Sequence, residues 1–288
     1  MNARTFRRER LVKYAIDLRS IAHVFGALFL SFVPFWLELP WPGLVALWGV
    51  SMYVRTFCPY AQHNHGHLPV FRLPALNFFY DIAFAQVTGY ATSLWELHHN
   101  RGHHRNYLNP PKDVARVTSL RTGLPVPRWW YALRGNLTIV PDSFVIAVGE
   151  ARAKSRGMLV KLVAELTVQA AVTGFLLWLN PLFTVLFFVV PNLLAGYLVW
   201  WESYVHHLHV PGGNVYEGSV TVTGERFNKF NFNIGHHTAH HEKPTLHWSL
   251  LPERTAVIAT RIPATCVRVD SGPGLTSWPQ TAASSPQG

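Results

Sequence analysis

Sixteen histidines are present in the 288-residue chain, more than its 15 aspartates and glutamates together. They lie in clusters, and three clusters have the spacing that brings side chains onto one face of a helix. These are His63-Asn-His-Gly-His67, His99-Asn-Arg-Gly-His103-His104 and His237-Thr-Ala-His240-His241. Because side chains three and four residues apart meet on a helix, each cluster can direct two or three imidazoles at one place.

Imidazole nitrogen is a ligand for zinc, copper, iron and nickel. The three clusters offer more nitrogens than the four ligands of one tetrahedral zinc site. A single histidine is more often a core or surface residue, but three such clusters are difficult to explain by packing. The sequence therefore predicts a centre with two metal ions.

Several common metal and nucleotide motifs are excluded. After His241-Glu242 the zinc-protease motif needs a second histidine, and Pro244 would end that helix. A carboxylate di-iron bundle needs two Glu-x-x-His motifs, and the sequence contains one, Glu96 to His99. Two cysteines are too few for a disulfide scaffold or a cysteine zinc module. No Walker loop or dinucleotide fingerprint is present.

The elements that must position these histidines are membrane helices. Charged residues make up 14% of the chain, against about 25% in soluble domains. Four apolar stretches come close to the roughly 20 residues that cross a bilayer. They run from about 20 to 39, from the turn at 40–43 to about 57, from about 159 to 179 and from about 182 to 201. The sequence thus predicts an all-α integral membrane protein with about four transmembrane helices in two hairpins.

Basic residues predict the orientation of these hairpins. The turns at 38–43 and 180–181 contain no Lys or Arg, whereas the N-terminus, residues 58–158 and the region after 201 contain many. The positive-inside rule places both termini and the long middle segment in the cytoplasm. Fifteen histidines then fall on the cytosolic side, as a histidine-rich helical cap. A histidine-rich metal transporter is the alternative from another class, but transport sites lie near the midplane, and His23 is the one histidine within a span.

The three boxes, HxxxH, HxxxHH and HxxHH, resemble those of the integral-membrane fatty acid desaturases and their hydroxylase relatives over roughly residues 20–250. The stretch 232–249 is similar to the family's Asn, Gly, aromatic residue, HTxHH, Pro and Leu-His-Trp. His236 stands where the aromatic residue usually stands, so the resemblance makes His237 the ligand. A further metal histidine follows the family's last span. Tyr204 aligns this family histidine with His207. The alternative is that Glu202 or His206, which are four residues apart, faces the metal instead.

The resemblance implies nine metal ligands and no catalytic residue beyond them. They are His63, His67, His99, His103, His104, His207, His237, His240 and His241. It also implies two iron ions, O₂ as co-substrate and electrons from a separate ferredoxin or cytochrome b5 donor. The substrate would be an acyl chain on CoA, on acyl carrier protein or in a lipid. Desaturation is the expected reaction, with hydroxylation or alkyne formation as alternatives, and a zinc-dependent membrane hydrolase is a third class. No nucleic-acid partner is expected.

Other segments carry weaker predictions. Polar residues near the boxes are candidates to orient the imidazoles, namely Asp81, Glu96, Asp113, Glu202, Asn64 and Asn100. The basic segment 105–158 is a candidate docking surface for an acidic partner such as acyl carrier protein or ferredoxin. We expect residues 1–250 to form the membrane-bound di-iron domain and residues 251–288 a tail that is mobile from about 270.

Overall fold

A computed structural model describes residues 11–269 of the chain. Most of these residues are helical, as the all-α prediction requires. The α-helices are α1 (Leu18–Trp36), α2 (Trp41–Arg55), α3 (Cys58–His67), α4 (Pro74–Thr88), α5 (Thr92–Trp95), α6 (Arg128–Ala153), α7 (Gly157–Leu179), α8 (Pro181–Thr184), α9 (Val190–His206), α10 (Glu225–Phe230), α11 (His237–Glu242) and α12 (Leu251–Ile258). Two π-helical segments are Glu96–His103 and Val185–Val189. Single 3-10 turns are Ala15–Asp17, Trp248–Leu250, Ala259–Arg261 and Ala264–Cys266. The tail that is predicted to be mobile, from about residue 270, lies outside the described residues. The basic residues at 4, 7, 8 and 10, near the N-terminus, also lie outside them.

Three helical segments of residues 11–269 are long and apolar enough to cross a membrane. They are Ala15–Trp36, Gly157–Leu179 and Pro181–His206. No more than 39% of the most apolar window of each segment is buried inside the protein. Large apolar side chains such as Trp178, which is 77% exposed, therefore face outward. This surface suits lipid and not water.

The second apolar stretch forms a shorter helix than the other three. Helix α2 has 15 residues, so it is about 22 Å long and does not cover the roughly 30 Å hydrocarbon core of a bilayer. It ends at Arg55, whose side chain is fully buried and donates to the carbonyl oxygens of Gln86 and Phe187. The described residues thus contain three full-length candidate spans, and the count of four stays a prediction.

Both predicted hairpins have short connections. Helices α1 and α2 pack together and are joined by residues 37–40. Helices α7 and α8 are joined by Asn180, whose side-chain oxygen caps α8 by accepting from the N–H of Phe183 at 3.0 Å. Beyond α8 the chain continues through the second π-helix into α9, which packs against α6. This arrangement brings the C-terminal end of α9 close to the histidine-bearing helices.

A short parallel sheet joins two late segments of the chain. Strand β1 (Thr221–Val222) pairs with β2 (Val267–Arg268), and Thr221 lies opposite Val267. Between them α12 packs against α11, and the side chains of Leu251, Ile258 and Cys266 are buried. The described part of the segment predicted as a tail, residues 251–269, is therefore packed onto the histidine-bearing region.

Candidate metal centre

The first box lies on α3. His63 and His67 are four residues apart, and their ring centroids are 4.9 Å apart on the same side of the helix. His65 lies between them and contacts other groups, since its Nδ1 accepts from the N–H of Val70 at 3.1 Å. In this box, His63 and His67 are therefore the candidate ligands, whereas the buried His65 contacts the backbone at Val70.

The second box lies on the π-helix Glu96–His103, which continues α5. The N–H of His104 donates to the carbonyl of His99, five residues earlier, at 2.8 Å. This wider turn directs His99 and His104 to one group of imidazoles and His103 to another. The spacing alone predicted an α-helical pair of His99 and His103, and the structure differs because π-helical hydrogen bonds link residues five apart.

The third box and the end of α9 complete the arrangement. On α11, His240 faces the group that contains His99, while His237 and His241 face the group that contains His103. His207 follows α9 directly, as its C-cap residue. The structure therefore brings together all nine histidines predicted from the sequence.

Five imidazoles form the first group, which we call group A: His63, His67, His99, His104 and His240. One nitrogen from each lies within 4.8 Å of the others. The Nε2 atom of His99 is 2.8 Å from that of His63 and 2.9 Å from that of His104. The Nε2 atoms of His104 and His240 are also 2.9 Å apart.

Four imidazoles form the second group, group B: His103, His207, His237 and His241. The Nε2 atom of His207 lies 3.1 Å from the Nε2 atoms of His103 and His237. The Nε2 atoms of His237 and His241 are also 3.1 Å apart. His103 and His104 are consecutive residues and belong to different groups, so the two groups are neighbours.

The spacing of these nitrogens suits a bound metal ion. Two nitrogens that bind one ion at about 2.1 Å, at a right angle, lie about 3 Å apart. Without an ion, two imidazole nitrogens at that distance share at most one hydrogen. In group A, the buried Nε2 of His67 has no hydrogen-bond partner among the described residues. The donor set is thus chemically and geometrically suited to iron or another imidazole-binding metal.

Burial also keeps these imidazoles in the state that binds metal. It lowers the pKa of His63 and of His207 to about 3. Burial, with smaller contributions from neighbouring imidazoles, also holds the pKa well below its ordinary value for His67, His99, His104, His237, His240 and His241. Neutral rings keep a lone pair available, as metal binding requires.

One of the predicted orienting residues contacts a group B histidine. The Oδ1 atom of Asp113 lies 2.9 Å from Nδ1 of His103 and accepts from the N–H of Ala115 at 2.8 Å. Burial raises the pKa of Asp113, but these two contacts outweigh burial and lower it overall. The ionised carboxylate holds the proton of His103 on Nδ1 and leaves Nε2 for a metal. His207 is oriented similarly by the Gly218 carbonyl, 3.1 Å from its Nδ1.

The other predicted orienting residues have different partners. The Oδ1 atom of Asn64 lies 3.3 Å from Nδ1 of His63, its neighbour in the chain. Asn100 donates to the Gly66 carbonyl, and Glu202 pairs with Arg128. Asp81 and Glu96 both contact Lys161, a residue of α7 that sequence reasoning did not single out. A lysine inside an apolar stretch was the available signal for it.

His206 and His207, which are adjacent in the chain, have different surroundings. Nδ1 of His206 is 3.4 Å from the Val220 carbonyl, and its ring stacks on His237 with centroids 4.4 Å apart. His206 belongs to neither group. Nε2 of His207 lies beside two group B imidazoles, and its role as the ligand in place of His206 stays a prediction. His236 likewise lies outside both groups, with its Nδ1 3.0 Å from the Thr255 hydroxyl.

A cavity of about 30 Å³ touches both groups. Histidines of group A (His63 and His99) and of group B (His237) line it together with His206. The remaining lining residues are Tyr60, Trp95, Val199, Glu202, Ser203 and Ile234. A mostly apolar space therefore reaches the candidate metal ligands.

Two comparisons with known proteins bear on this arrangement. A search of curated proteins found no match. A family model of the fatty acid desaturases matches residues 39–273, a range that contains all nine histidines of groups A and B. The match covers most of the chain and agrees with the resemblance seen in the three boxes. This chain belongs to the fatty acid desaturase family.

Proposed function

We propose that this protein is a membrane-bound, O₂-dependent desaturase that introduces a double bond into an acyl chain. Two iron ions, one in group A and one in group B, would supply the oxidation of an unactivated C–H bond, for which side chains lack the chemistry. The observation that carries the proposal is the convergence of nine imidazoles, most of them buried, in two adjacent groups. Membership of the fatty acid desaturase family supports the acyl substrate.

The chain's own residues would orient the ligands and exclude water. Asp113 and the Gly218 carbonyl hold two group B imidazoles with Nε2 directed inward. The cavity beside both groups has Trp95, Val199 and Ile234 in its wall. Such a wall would place a methylene group beside the imidazoles and keep water away from it. The acyl chain would reach it from lipid, from CoA or from acyl carrier protein.

The proposal includes a cytosolic electron donor of the ferredoxin or cytochrome b5 type. Its docking surface would be formed by the basic segment 105–158. In support, nine residues between 107 and 125 and six residues between 207 and 218 line a cavity of about 330 Å³ that reaches Asp113 and His207. One basic residue, Arg116, is among them. Both termini and the metal centre would be cytoplasmic.

Hydroxylation is the second candidate reaction, because it begins with the same hydrogen abstraction. The two reactions differ in the second step at the acyl chain, and substrate placement decides between them. An acyl substrate deuterated at two adjacent carbons distinguishes them when products are analysed by mass spectrometry after expression with a reductase system. We expect loss of two deuterons without incorporation of oxygen. Loss of one deuteron with oxygen from labelled O₂ would identify a hydroxylase.

Metal content tests the site itself. Protein purified from iron-supplemented cells should contain about two iron ions per chain, since nine imidazoles exceed the needs of one ion. A preparation with one zinc and no iron would overturn the di-iron site and favour a zinc hydrolase.

A further inference from the structure

A partly buried charged network lies beside the two box-bearing helices and contains none of the nine histidines. Its centre is the ammonium of Lys161, in the second turn of α7. Nζ is 2.6 Å from Oε1 of Glu96, 3.2 Å from Oδ2 of Asp81 and 3.5 Å from Oε1 of Glu165. The side chains of Asp81 and Glu165 are 3% and 0% exposed. One cation thus holds carboxylates from α4, the π-helix and α7.

Asp81 connects this network to the first box. Its Oδ1 lies 3.1 Å from Nε2 of His65, and both side chains are almost fully buried. The N–H of Val70 donates to Nδ1 of His65, so Nδ1 is unprotonated and Nε2 carries the hydrogen. His65 lies between His63 and His67 on α3. A shift of Asp81 would therefore move the helix that carries two group A imidazoles.

Glu96 and Glu165 connect the network to the second box. Glu96 is the first residue of the π-helix, three residues before His99. Oε2 of Glu165 accepts from the N–H of Ser93 at 2.8 Å, in the first turn of α5, which leads into that π-helix. The ammonium of Lys161 is therefore linked to the helix of the first box through Asp81 and to that of the second box through Glu96 and Glu165.

We infer that Lys161 is a positioning residue, which sets the distance between the first and second boxes and with it the geometry of group A. The inference rests on the proposed metal site. It follows from the electrostatics of the network, because three carboxylates in a buried space repel one another without the ammonium between them. This repulsion would act on α4 and the π-helix. Through the contact of Asp81 with His65 it would reach α3, whose His63 has its Nε2 atom 2.8 Å from that of His99 on the π-helix.

Co(II) binding to the iron-free full-length protein, followed by its visible absorption bands, tests the inference. Lys161→Met removes the cation, and the matched control Lys154→Met removes an exposed lysine just before α7. We expect Lys161→Met to bind one Co(II) roughly 10- to 100-fold more weakly than wild type, as loss of a supporting residue does at other metal sites. Its bands should also change, while Lys154→Met should match wild type.

Glu96→Gln is the second variant, in case Lys161→Met does not fold. It keeps the shape of the side chain and removes the charge by which the π-helix pairs with the ammonium, so a weaker binding of Co(II) and a change in the bands are expected here too. Elution from a sizing column in detergent measures the folded fraction. Wild-type affinity and bands in a folded variant would overturn the inference, as would a loss of Co(II) in proportion to the loss of folded protein. Failure of wild type to bind two Co(II) ions would instead overturn the proposed metal site.

Discussion

The orientation of a ligand imidazole depends on what its second nitrogen contacts. In group B, Nδ1 of His103 contacts Asp113, and Nδ1 of His207 contacts the Gly218 carbonyl. Both contacts leave Nε2 directed into the group. Asp113 is the charged member of this pair, so its removal is the sharper test of how the imidazoles are held.

Asp113→Asn should weaken metal binding in group B roughly 10- to 100-fold, because an amide fixes the proton of His103 less firmly than a carboxylate. Titration of the iron-free protein with Co(II) measures this. Asp142→Asn is the matched control, since Asp142 lies 3.6 Å from His98, a histidine of neither group. Equal losses in both variants would mean that Asp113 acts only on stability.

His207→Ala should lose activity and one metal ion, because Nε2 of His207 contacts two other group B imidazoles. His206→Ala should keep its metal, since His206 lies outside both groups. Iron analysis and product formation, measured on the same preparations, rank the two variants. If His206→Ala lost more iron and activity than His207→Ala, the result would support Glu202 and His206 as the metal-facing pair on α9.

At the scale of elements, the π-helix of the second box distributes its histidines between the two groups. It packs against α6 and has Gly102 next to His103. A Cβ added at Gly102 would lie 2.5 Å from Cγ2 of Val114 and 3.1 Å from Cδ1 of Ile146. Val114 is β-branched and stiff at χ1, so the π-helix would have to move away from both side chains.

Gly102→Ala should therefore cost about 1–3 kcal/mol of stability through overpacking and reduce the metal content of both groups. Gly149→Ala, in α6, is the matched control, because no atom lies within 4 Å of its added Cβ. Removing a helical glycine there should stabilise the protein by up to about 1 kcal/mol. Thermal unfolding in detergent and iron analysis measure both effects. Unchanged metal in Gly102→Ala would show that the π-helix tolerates displacement.

At the scale of the whole molecule, function requires that all three boxes lie on one side of the membrane. The candidate spans Gly157–Leu179 and Pro181–His206 are joined by Asn180 alone, so their far ends return to the same side. Groups A and B combine α3, the π-helix, α11 and the residue after α9. The positive-inside rule predicts that this shared side is cytoplasmic.

Cysteine labelling with a membrane-impermeant reagent tests that orientation. Lys154→Cys and Thr260→Cys introduce exposed cysteines in the two predicted cytoplasmic segments, and Glu38→Cys introduces one in the predicted outer turn. Both native cysteines are fully buried, so background labelling should be low. We expect Glu38→Cys to react in intact cells and the other two only after permeabilisation. Labelling of Lys154→Cys from outside would contradict the predicted topology.

The amino-acid sequence by itself determined which residues are the candidate metal ligands. Imidazoles at intervals of three to five residues are a local pattern, and so are the long apolar stretches, because both depend on side chains that are close in the chain. Family membership, the three full-length candidate spans among the four predicted, and the clustering of nine histidines could be recognised this way. The preference for His207 over His206 came from its alignment on Tyr204 and stays a prediction.

Only the tertiary structure decided how those residues are shared between two sites. His103 and His104 are adjacent in sequence, yet they belong to different groups, because the turn that carries them is π-helical. Lys161 lies 65 residues from Glu96, and the sequence does not reveal that they meet. Contacts of this kind depend on how the helices pack, which is a property of the whole chain and not of local spacing.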